Sequence, residues 1–334
     1  MKDSALVAVE NLVKHFPVRM NFIQMLFTRE KKKVHAVNGV SFRIEEGQTL
    51  GLVGESGSGK TTTGRLVLKL IEPTDGRIKF MGKDITPLKP KEMRPLRREM
   101  QIVFQDPLAS LNPYMKIGEA VRHPLVIHKI GRNRIQQREM VLEMLEKVNL
   151  RPPEEFYNRY PRQISGGQRQ RVVIARALIT RPKFVVADEA VAMLDVSIRS
   201  QLLKLMVDLK KEFNLTYLFI THDLATTKYI CDRIAVMYLG HIVEEGSFKD
   251  IYSEPAHPYT KALISAVPEP DPKIMETKKK MIPSGEVPNA IEPPPGCPFH
   301  PRCPYKEAVC SRIFPEVVEI SEGHKVACHI YAKK

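Results

Sequence analysis

The octapeptide GESGSGKT at residues 54–61 limits the possible folds of this chain more than any other part of its sequence. It matches the pattern G-x-x-x-x-G-K-S/T without a mismatch. The apolar run TLGLVG leads into it and the apolar-periodic stretch TTTGRLVLKLI follows it, which predicts a strand, a glycine turn and a helix. In turns of this kind, backbone N–H groups and a lysine surround phosphate groups. The sequence therefore predicts an α/β core with a phosphate-binding loop.

The residue types in this loop match the chemistry of a bound nucleotide. Gly57 and Gly59 allow consecutive N–H groups to point inward, since a Cβ atom would block the required backbone conformation or the approach. Lys60 brings a point charge to the β- and γ-phosphates, and Thr61 offers a hydroxyl group to Mg²⁺. The predicted nucleotide-binding residues of this segment are Gly54, Ser56, Gly57, Ser58, Gly59, Lys60, Thr61 and Thr62.

Two carboxylates follow a second apolar run, FVVA, at residues 184–187. Mg²⁺ in nucleotide sites needs a further protein oxygen, usually from an aspartate that ends a buried strand, and Asp188 stands at that position. Glu189 comes next and is predicted to polarise the attacking water as a general base. These two residues are therefore predicted to take part in binding and hydrolysis.

A second phosphate-binding signal lies at residues 164–171, ISGGQRQR, where a serine and two glycines open a predicted helix. Unpaired N–H groups at a helix start attract phosphate. The predicted contact residues are Ser165, Gly166, Gly167 and Gln168. One nucleotide does not require two such loops, so the second one needs a separate explanation.

The 334 residues indicate an α/β core interrupted by a helical insert at about 106–180 and followed by a proline-rich segment after residue 267. The sequence contains no apolar run of the roughly 18–20 residues that span a bilayer. Its first residues lack a secretory signal, so a cytosolic location is expected. The net charge of +14 is compatible with nucleic acid, an anionic membrane or acidic partners and does not choose among them.

The order GESGSGKT, VFQDP, ISGGQ, VVADE, LD, THD resembles the ATP-binding subunit of an ATP-binding cassette (ABC) transporter, over roughly residues 5–265. The resemblance implies a P-loop NTPase core of ABC type with an antiparallel β subdomain, an inserted α-helical subdomain and a small irregular C-terminal extension. It implies a nucleotide-binding domain at 1–267 and a linker with a cysteine-containing extension at 268–334. It also explains the second loop, because two cassettes pair head to tail and each closes over the partner's ATP.

Further roles follow from the same resemblance. Gln105 in VFQDP matches the glutamine that senses Mg²⁺ and the γ-phosphate, and a permease helix is expected to dock nearby at residues 111–115. His222 in ITHD matches the switch histidine, and Asp195 matches the aspartate of the loop at the dimer seam. Phe16 matches the aromatic residue that stacks on adenine. The implied catalytic residues are Glu189, His222 and Lys60, and the implied Mg²⁺ ligands are Thr61, Gln105 and Asp188.

The chain departs from the family pattern near its catalytic glutamate. Ala190 stands where the family usually has proline, and Ala192 where it has serine. Ile164 replaces the usual leucine. Hydrolysis is expected to survive, since Glu189 and Asp195 remain, but a regulatory subunit that does not hydrolyse ATP is the alternative.

Several other stretches, including DVSIRSQLLKLMVDL, LTYLFITHDLA and HPYTKALISAVPEP, resemble the second ATPase of oligopeptide and dipeptide importers. This implies a heterodimer with a sister ATPase, two transmembrane permease subunits and an external substrate-binding protein, with this chain at the cytoplasmic face of the membrane. Relatives that import oligosaccharides or nickel are the first alternative. An ABC ATPase that acts on nucleic acid is a second, less favoured alternative. The main interpretation expects no nucleic-acid partner.

Four cysteines lie in the C-terminal tail, and their pattern resembles an extension that holds a 4Fe–4S cluster in some importer ATPases. Thiolates suit such a cluster or zinc. Zinc and a metal-free packing core remain as alternatives, and His300, His324 and His329 are interpreted as ordinary surface or packing residues. The candidate ligands are Cys297, Cys303, Cys310 and Cys328.

Overall fold

The computed structural model describes residues 5–18, 32–267 and 285–332. The chain divides into two compact units. The described parts of the first unit are residues 5–7, Ile44–Thr49 and Phe80–Ile220. The second unit comprises the described residues within 8–43, Leu50–Lys79 and 221–334. Most of the proline-rich linker predicted after residue 267 lies outside the described residues, because 268–284 are not among them.

The strands and helices alternate along the chain, as expected for an α/β protein. The strands are β1 (Ala5–Pro17), β2 (Lys33–Glu45), β3 (Thr49–Val53), β4 (Asp75–Phe80), β5 (Lys83–Asp84), β6 (Met100–Val103), β7 (Phe184–Asp188), β8 (Thr216–Thr221), β9 (Arg233–Tyr238), β10 (His241–Ser247), β11 (Val317–Ser321) and β12 (His324–Ala327). The helices are α1 (Lys60–Val67), α2 (Pro90–Leu96), α3 (Pro107–Ser110), α4 (Ile117–Ile127), α5 (Arg134–Lys147), α6 (Pro153–Asn158), α7 (Gly166–Leu178), α8 (Val196–Phe213), α9 (Leu224–Ile230), α10 (Phe248–Ser253), α11 (Pro258–Ser265) and α12 (His329–Ala332). No helix in the described ranges has the length and apolar character that a membrane span requires.

Parallel pairing joins the buried strands of the first unit. β7 lies between β6 and β8, with Val103 opposite Ala187 and Asp188 opposite Ile220. Every residue of β7 is buried, which explains why its sequence is a continuous apolar run rather than an alternating one. Because parallel strands end at one edge of a sheet, the residues that follow β6 and β7 emerge at the same edge.

Side-chain caps fix where the helices of the first unit begin. Asp106 accepts a hydrogen bond from the N–H of Leu108 at the start of α3, and Asn133 accepts one from Gln136 at the start of α5. The amphipathic stretch RIQQREMVLEMLEKVNL predicts a helix over residues 134–150. Asn149 has a left-handed backbone, with φ of 58°, just after α5, which ends this helix a little earlier.

The second unit contains two sheet segments. β1 lies between β2 and β4 in one. In the other, β3 pairs in parallel with β9, and β12 pairs with β10. β9 and β10 form an antiparallel hairpin, as the run DRIAVMYLGHIVEEG at residues 232–246 predicts. β11 and β12 form a hairpin around a turn in which Gly323 has φ of 73°. The C-terminal extension thus consists of 3₁₀ turns and irregular chain, followed by a hairpin that adds to this sheet.

A buried carboxylate fastens the extension to β10. Glu244, with 1% of its surface exposed, accepts hydrogen bonds from the backbone N–H groups of Ala256 at 2.7 Å and His257 at 2.9 Å. Its Oε1 atom also lies 2.8 Å from Nε2 of His324, the first residue of β12. Since a buried carboxylate needs such partners, this site holds the start of α11 and the extension hairpin to one strand.

We expect His257 to make the stability of the chain depend on pH. Burial, followed by the nearby Lys261 charge, lowers the pKa of His257 to about 3, whereas an unfolded histidine has a pKa of about 6.5. Between these values the unfolded chain binds more protons, so stability decreases as the pH falls below about 6.5. Nδ1 of His257 accepts a hydrogen bond from the N–H of Tyr259 at 3.0 Å and caps α11. Asparagine is also a good N-cap and does not titrate. His257→Asn should therefore reduce the slope of unfolding free energy against pH by up to about 1.4 kcal/mol per pH unit.

Urea unfolding between about pH 5 and about pH 7 measures this slope. His123→Asn is the matched control, because His123 is exposed. Equal slopes for His257→Asn and the unmodified chain would contradict the prediction.

Candidate functional site

Backbone and side-chain oxygens hold the Lys60 ammonium at the centre of the phosphate loop. Its Nζ atom donates to the carbonyl oxygens of Gly54 at 2.7 Å and Glu55 at 2.8 Å, and lies 3.3 Å from Oγ of Ser58. Only 5% of the Lys60 surface is exposed. The loop therefore presents a fixed positive charge where the sequence predicts the β- and γ-phosphates.

Close packing explains two glycines of the loop. Gly59 has φ of 104°, and a Cβ atom there would lie 2.2 Å from the carbonyl oxygen of Ala36. At Gly54 a Cβ atom would lie 2.1 Å from the carbonyl oxygen of Met237. A larger residue at either position would push the loop away from the neighbouring chain.

A hydrogen-bond chain connects the loop to the strand that carries Phe16. Gly240 donates to the carbonyl oxygen of Ser58 at 2.9 Å and accepts from the N–H of Asn38 at 2.8 Å. Oδ1 of Asn38 lies 2.9 Å from Nε2 of His15. Phe16, the next residue of β1, is half-buried, so part of its ring remains accessible. The second unit therefore brings the loop and the predicted adenine contact into one network.

The predicted switch histidine stands at the end of β8. His222 is exposed, and Asp223 beside it accepts a hydrogen bond from Ala225 at 2.9 Å and caps α9. The cap fixes the backbone next to His222. The position leaves the imidazole accessible to a ligand.

In the first unit, Asp188 and Glu189 stand at the carboxyl end of the sheet. Asp188 is 5% exposed and ends β7. Glu189 has a left-handed backbone with φ of 48°, and its N–H donates to the carbonyl oxygen of Ile220 at 3.0 Å. Strained backbone of this kind is frequent at active sites. Glu189 therefore turns out of the sheet directly after the buried aspartate.

Gln105 lies between the end of β6 and the capped start of α3. It is half-buried, and the residue before it, Phe104, accepts a hydrogen bond from Nε2 of Gln170 in α7 at 3.4 Å. The backbone directly before Gln105 is therefore tied to the helix whose first turn carries the ISGGQ motif.

The ISGGQ segment forms an exposed helix start. Ser165 caps α7 reciprocally, because its Oγ atom accepts from the N–H of Gln168 at 3.3 Å and its own N–H donates to Oε1 of Gln168 at 3.0 Å. Ser165 and Gly166 are exposed. A Cβ atom at Gly167 would lie 2.8 Å from Cγ2 of Ile198 in α8, so this glycine allows the helices to approach.

Apolar side chains flank Asp195 at the surface. Met193 is 67% exposed and Val196 is 76% exposed. Asp195 is exposed and makes no side-chain cap to its own helix, α8. Two exposed apolar side chains and an exposed carboxylate therefore lie close together in sequence at the start of α8.

Two family profiles match the chain. The ABC transporter profile matches residues 37–192, which include the phosphate loop and Glu189. The profile described as "Oligopeptide/dipeptide transporter, C-terminal region" matches residues 243–310.

The chain resembles curated proteins over nearly its whole length. It is 44% identical over 331 residues to the oligopeptide transport ATP-binding protein AppF of Bacillus subtilis, covering 99% of this chain and 98% of that protein. It is 46% identical over 323 residues to the oligopeptide transport ATP-binding protein OppF of Escherichia coli, covering 97% of this chain and 95% of that protein. The chain belongs to the oligopeptide/dipeptide family of ABC transporter ATP-binding proteins.

Solved ABC proteins share the fold of this ABC ATPase. The dimeric, post-hydrolysis structure of MJ0796 bound to ADP and Pi aligns with a TM-score of 0.62 and 29% identity, over 72% of this chain and 98% of that chain. The cbiO1 protein of Clostridium perfringens aligns with a TM-score of 0.63 and 28% identity, over 75% and 92%. The predicted ABC-type α/β fold and the ATPase activity are therefore confirmed. ABC ATPases use ATP with Mg²⁺.

The predicted site residues of this ABC ATPase are distributed over the two units. The second unit holds Phe16, the loop residues 54–62 and His222, and the first unit holds Gln105, Ser165–Gln168, Asp188, Glu189 and Asp195. The contacts described above join the loop to the strand that carries Phe16, and the segment of Gln105 to the helix that begins at Gly166.

The four extension cysteines are gathered into one part of the second unit. Burial and then neighbouring groups that include the other thiols raise the pKa of Cys297 to about 12, and burial also raises the pKa values of Cys303 and Cys328. The N–H of Cys297 donates to the carbonyl oxygen of Cys310 at 2.8 Å. In the described part of the chain, no group of three or more histidine, cysteine or acidic side chains is arranged to hold a metal ion. Cys297 and Cys328 are buried, Cys303 and Cys310 are half-buried, and the four thiols are not arranged as ligands.

Tyr259 and Arg302 contact the phosphate loop, although no sequence motif predicts either contact. Tyr259 Oη accepts a hydrogen bond from the N–H of Glu55 at 2.8 Å, and the Arg302 guanidinium binds the Glu55 carboxylate. Tyr259 belongs to a helix pattern and Arg302 to a cysteine-rich tail, so no local signal indicates either contact.

Proposed function

We propose that this ATPase powers the import of oligopeptides or dipeptides across a membrane. The observation that carries the proposal is the identity of 44–47% to peptide transport proteins over 97–99% of the chain, which includes the C-terminal extension. Fold-level similarity alone would not carry a substrate, because one fold serves many functions.

We propose that the working form is a heterodimer with a sister ATPase beneath two permease subunits, which an external substrate-binding protein supplies. The exposed Ser165 and Asp195, with Met193 and Val196 beside Asp195, support a partner at this face. Tyr114 is 87% exposed and lies in the segment 111–115 where a permease helix is expected to dock. The chain would then lie peripherally at the cytoplasmic face of the membrane.

The proposed cycle begins when ATP binds to the phosphate loop. Phe16 stacks on adenine, Lys60 binds the β- and γ-phosphates, and the loop N–H groups surround them. The serine–glycine helix start of the sister ATPase then contacts this ATP. In the same way, Ser165 contacts the ATP that is bound to the sister ATPase. Glu189 then accepts a proton from the attacking water, while His222 contacts the γ-phosphate. Loss of the γ-phosphate removes the bridge and reopens the pair.

Oxygen atoms of Thr61, Gln105 and Asp188 would hold Mg²⁺, since a hydroxyl, an amide and a carboxylate are hard ligands of the kind that Mg²⁺ prefers. When bound, Mg²⁺ neutralises charge on the β- and γ-phosphates.

Uptake measurements test the substrate class. The chain is co-expressed with the permease and ATPase subunits that are pulled down with it, and the purified complex is placed in vesicles. ATP-dependent uptake of labelled di- and oligopeptides supports the proposal. Uptake of nickel or an oligosaccharide instead of peptide, or salt-sensitive binding of the complex to DNA, would contradict it.

For the extension we propose a 4Fe–4S cluster on Cys297, Cys303, Cys310 and Cys328, with zinc as the alternative metal. It requires the thiols to move from their packed positions into a ligand arrangement. Anaerobically purified protein should be brown, absorb broadly near about 400 nm and contain about four irons per chain. Cys310→Ser should remove the colour, whereas Cys231→Ser is a control, because Cys231 lies outside the extension. Protein that contains neither iron nor zinc would refute a metal role.

A further inference from the structure

One arginine of the extension reaches the phosphate loop. Nη1 of Arg302 donates to Oε2 of Glu55 at 2.8 Å, and Nη2 donates to Oε1 at 3.2 Å. Arg302 is 8% exposed. A bidentate guanidinium–carboxylate pair fixes orientation as well as distance, and a shielded one does so more strongly than a surface pair. The second residue of the GESGSGKT motif is therefore held by residues far along the chain.

The backbone of Glu55 is held as well. Its N–H donates to Oη of Tyr259 at 2.8 Å. Its carbonyl oxygen accepts from Nζ of Lys60 at 2.8 Å and from the N–H of Ser58 at 3.2 Å. The residue that Arg302 binds is thus also the one that closes the loop and places the phosphate-binding lysine.

An aromatic cluster keeps the guanidinium in place. The rings of Tyr238 and Tyr259 lie 4.6 Å apart, and Phe299 lies 5.3 Å from Tyr238 and 5.4 Å from Tyr259. The Arg302 guanidinium lies 5.9 Å from the Tyr238 ring and 6.0 Å from the Phe299 ring. The Arg302 side chain is therefore held in place without a nucleotide, and forming the ion pair with Glu55 costs little additional side-chain entropy.

We propose that Arg302 is a positioning residue for ATP binding: by holding Glu55 it keeps the phosphate loop in the conformation that receives the triphosphate, so the C-terminal extension sets the nucleotide affinity of this cassette. The inference rests on ATP binding at residues 54–61 and not on the transported substrate.

Removing the Arg302–Glu55 ion pair should weaken ATP binding rather than slow catalysis. Without Arg302, the loop loses the only described side-chain contact of the Glu55 carboxylate, so more of its ordering accompanies ATP binding and subtracts from the affinity. Arg302→Met keeps an unbranched chain against the aromatic cluster but has no donors. We expect a dissociation constant for a fluorescent ATP analogue with Mg²⁺ that is about tenfold higher in the full chain. In the assembled complex, KM for ATP should rise while kcat stays nearly constant.

Arg233→Met is the matched control, because Arg233 forms an ion pair with Glu245 between β9 and β10, away from the loop. Hydrogen exchange gives a readout besides affinity. The amides of Glu55 and Ser58 should exchange faster in Arg302→Met, and at the unmodified rate in Arg233→Met.

A double variant separates positioning from charge. If Arg302 only neutralised Glu55, Arg302→Met combined with Glu55→Gln would restore affinity; for a positioning role the double variant stays about tenfold weaker. Should Arg302→Met fail to fold, Arg302→Lys keeps the charge without the bidentate pair and should lose about threefold in affinity.

Unchanged affinity and unchanged loop exchange in a folded Arg302 variant, or full recovery in the double variant, would overturn the inference. Lys60→Ala shows whether the loop binds ATP at all, so failure of the site and failure of the inference give different results.

Discussion

Replacing Glu189 with glutamine should nearly abolish ATP hydrolysis at the site of this chain while ATP still binds. Glutamine has the same length as glutamate but does not accept a proton from the attacking water. A positioned general base contributes about 10²- to 10⁴-fold, and we expect a loss of that size. Because the γ-phosphate is then retained, the ATP-bound heterodimer should accumulate.

The measurement requires a complex in which only one site reports. The sister ATPase should carry its own matching Glu→Gln change, so that the remaining hydrolysis belongs to this chain. Glu46→Gln is the control, because Glu46 is an exposed carboxylate in the turn between β2 and β3. Equal hydrolysis rates with and without Glu189→Gln would mean that this site does not hydrolyse ATP. Ala190 and Ala192 raise this alternative of a regulatory subunit.

Replacing Ser165 with aspartate should block ATP-driven closure without loosening the helix. Aspartate is as good an N-cap as serine, so the bond to the N–H of Gln168 is kept. Its negative charge, however, would face the γ-phosphate of the sister's ATP. Removing or opposing one donor at a transition-state oxyanion costs about 10²- to 10³-fold, and we expect the sister's hydrolysis to fall by at least this factor.

Light scattering with ATP measures closure, and hydrolysis in a complex with Glu189→Gln isolates the sister's site. Asn133→Asp is the matched control, because it places the same charge at the capped start of α5. Equal thermal unfolding midpoints for both variants would show that the caps are intact. Normal closure by Ser165→Asp would mean that this helix start does not contact ATP.

Local patterns made much of this protein predictable. The strand, loop and helix around Lys60 follow from one motif with its apolar flanks, and the β9–β10 hairpin follows from two apolar runs around a turn. The apolar run before Asp188 indicated a buried strand, and β7 is one. In each case residues that are close in sequence determine the element, so the pattern contains the needed information.

Contacts between distant segments were not predictable in this way. Glu55 and Arg302 are 247 residues apart, and neither has a neighbour that indicates the other. Likewise, the pairing of β12 with β10 depends on strand register and on the Glu244–His324 contact rather than on the alternation of either strand. The cysteine spacing named four candidate ligands, but spacing alone does not determine whether thiols pack or bind metal.

The β11–β12 hairpin has a consequence for any attempt to trim the protein to a minimal cassette. A version that stops at residue 267 would lack β12 and expose one edge of β10. The unpaired N–H and C=O groups of that edge can then pair with strands of other molecules. The same cut would deprive the buried Glu244 carboxylate of the His324 imidazole. Aggregation of the shortened version would then reflect an opened sheet margin and say nothing about the ATP site.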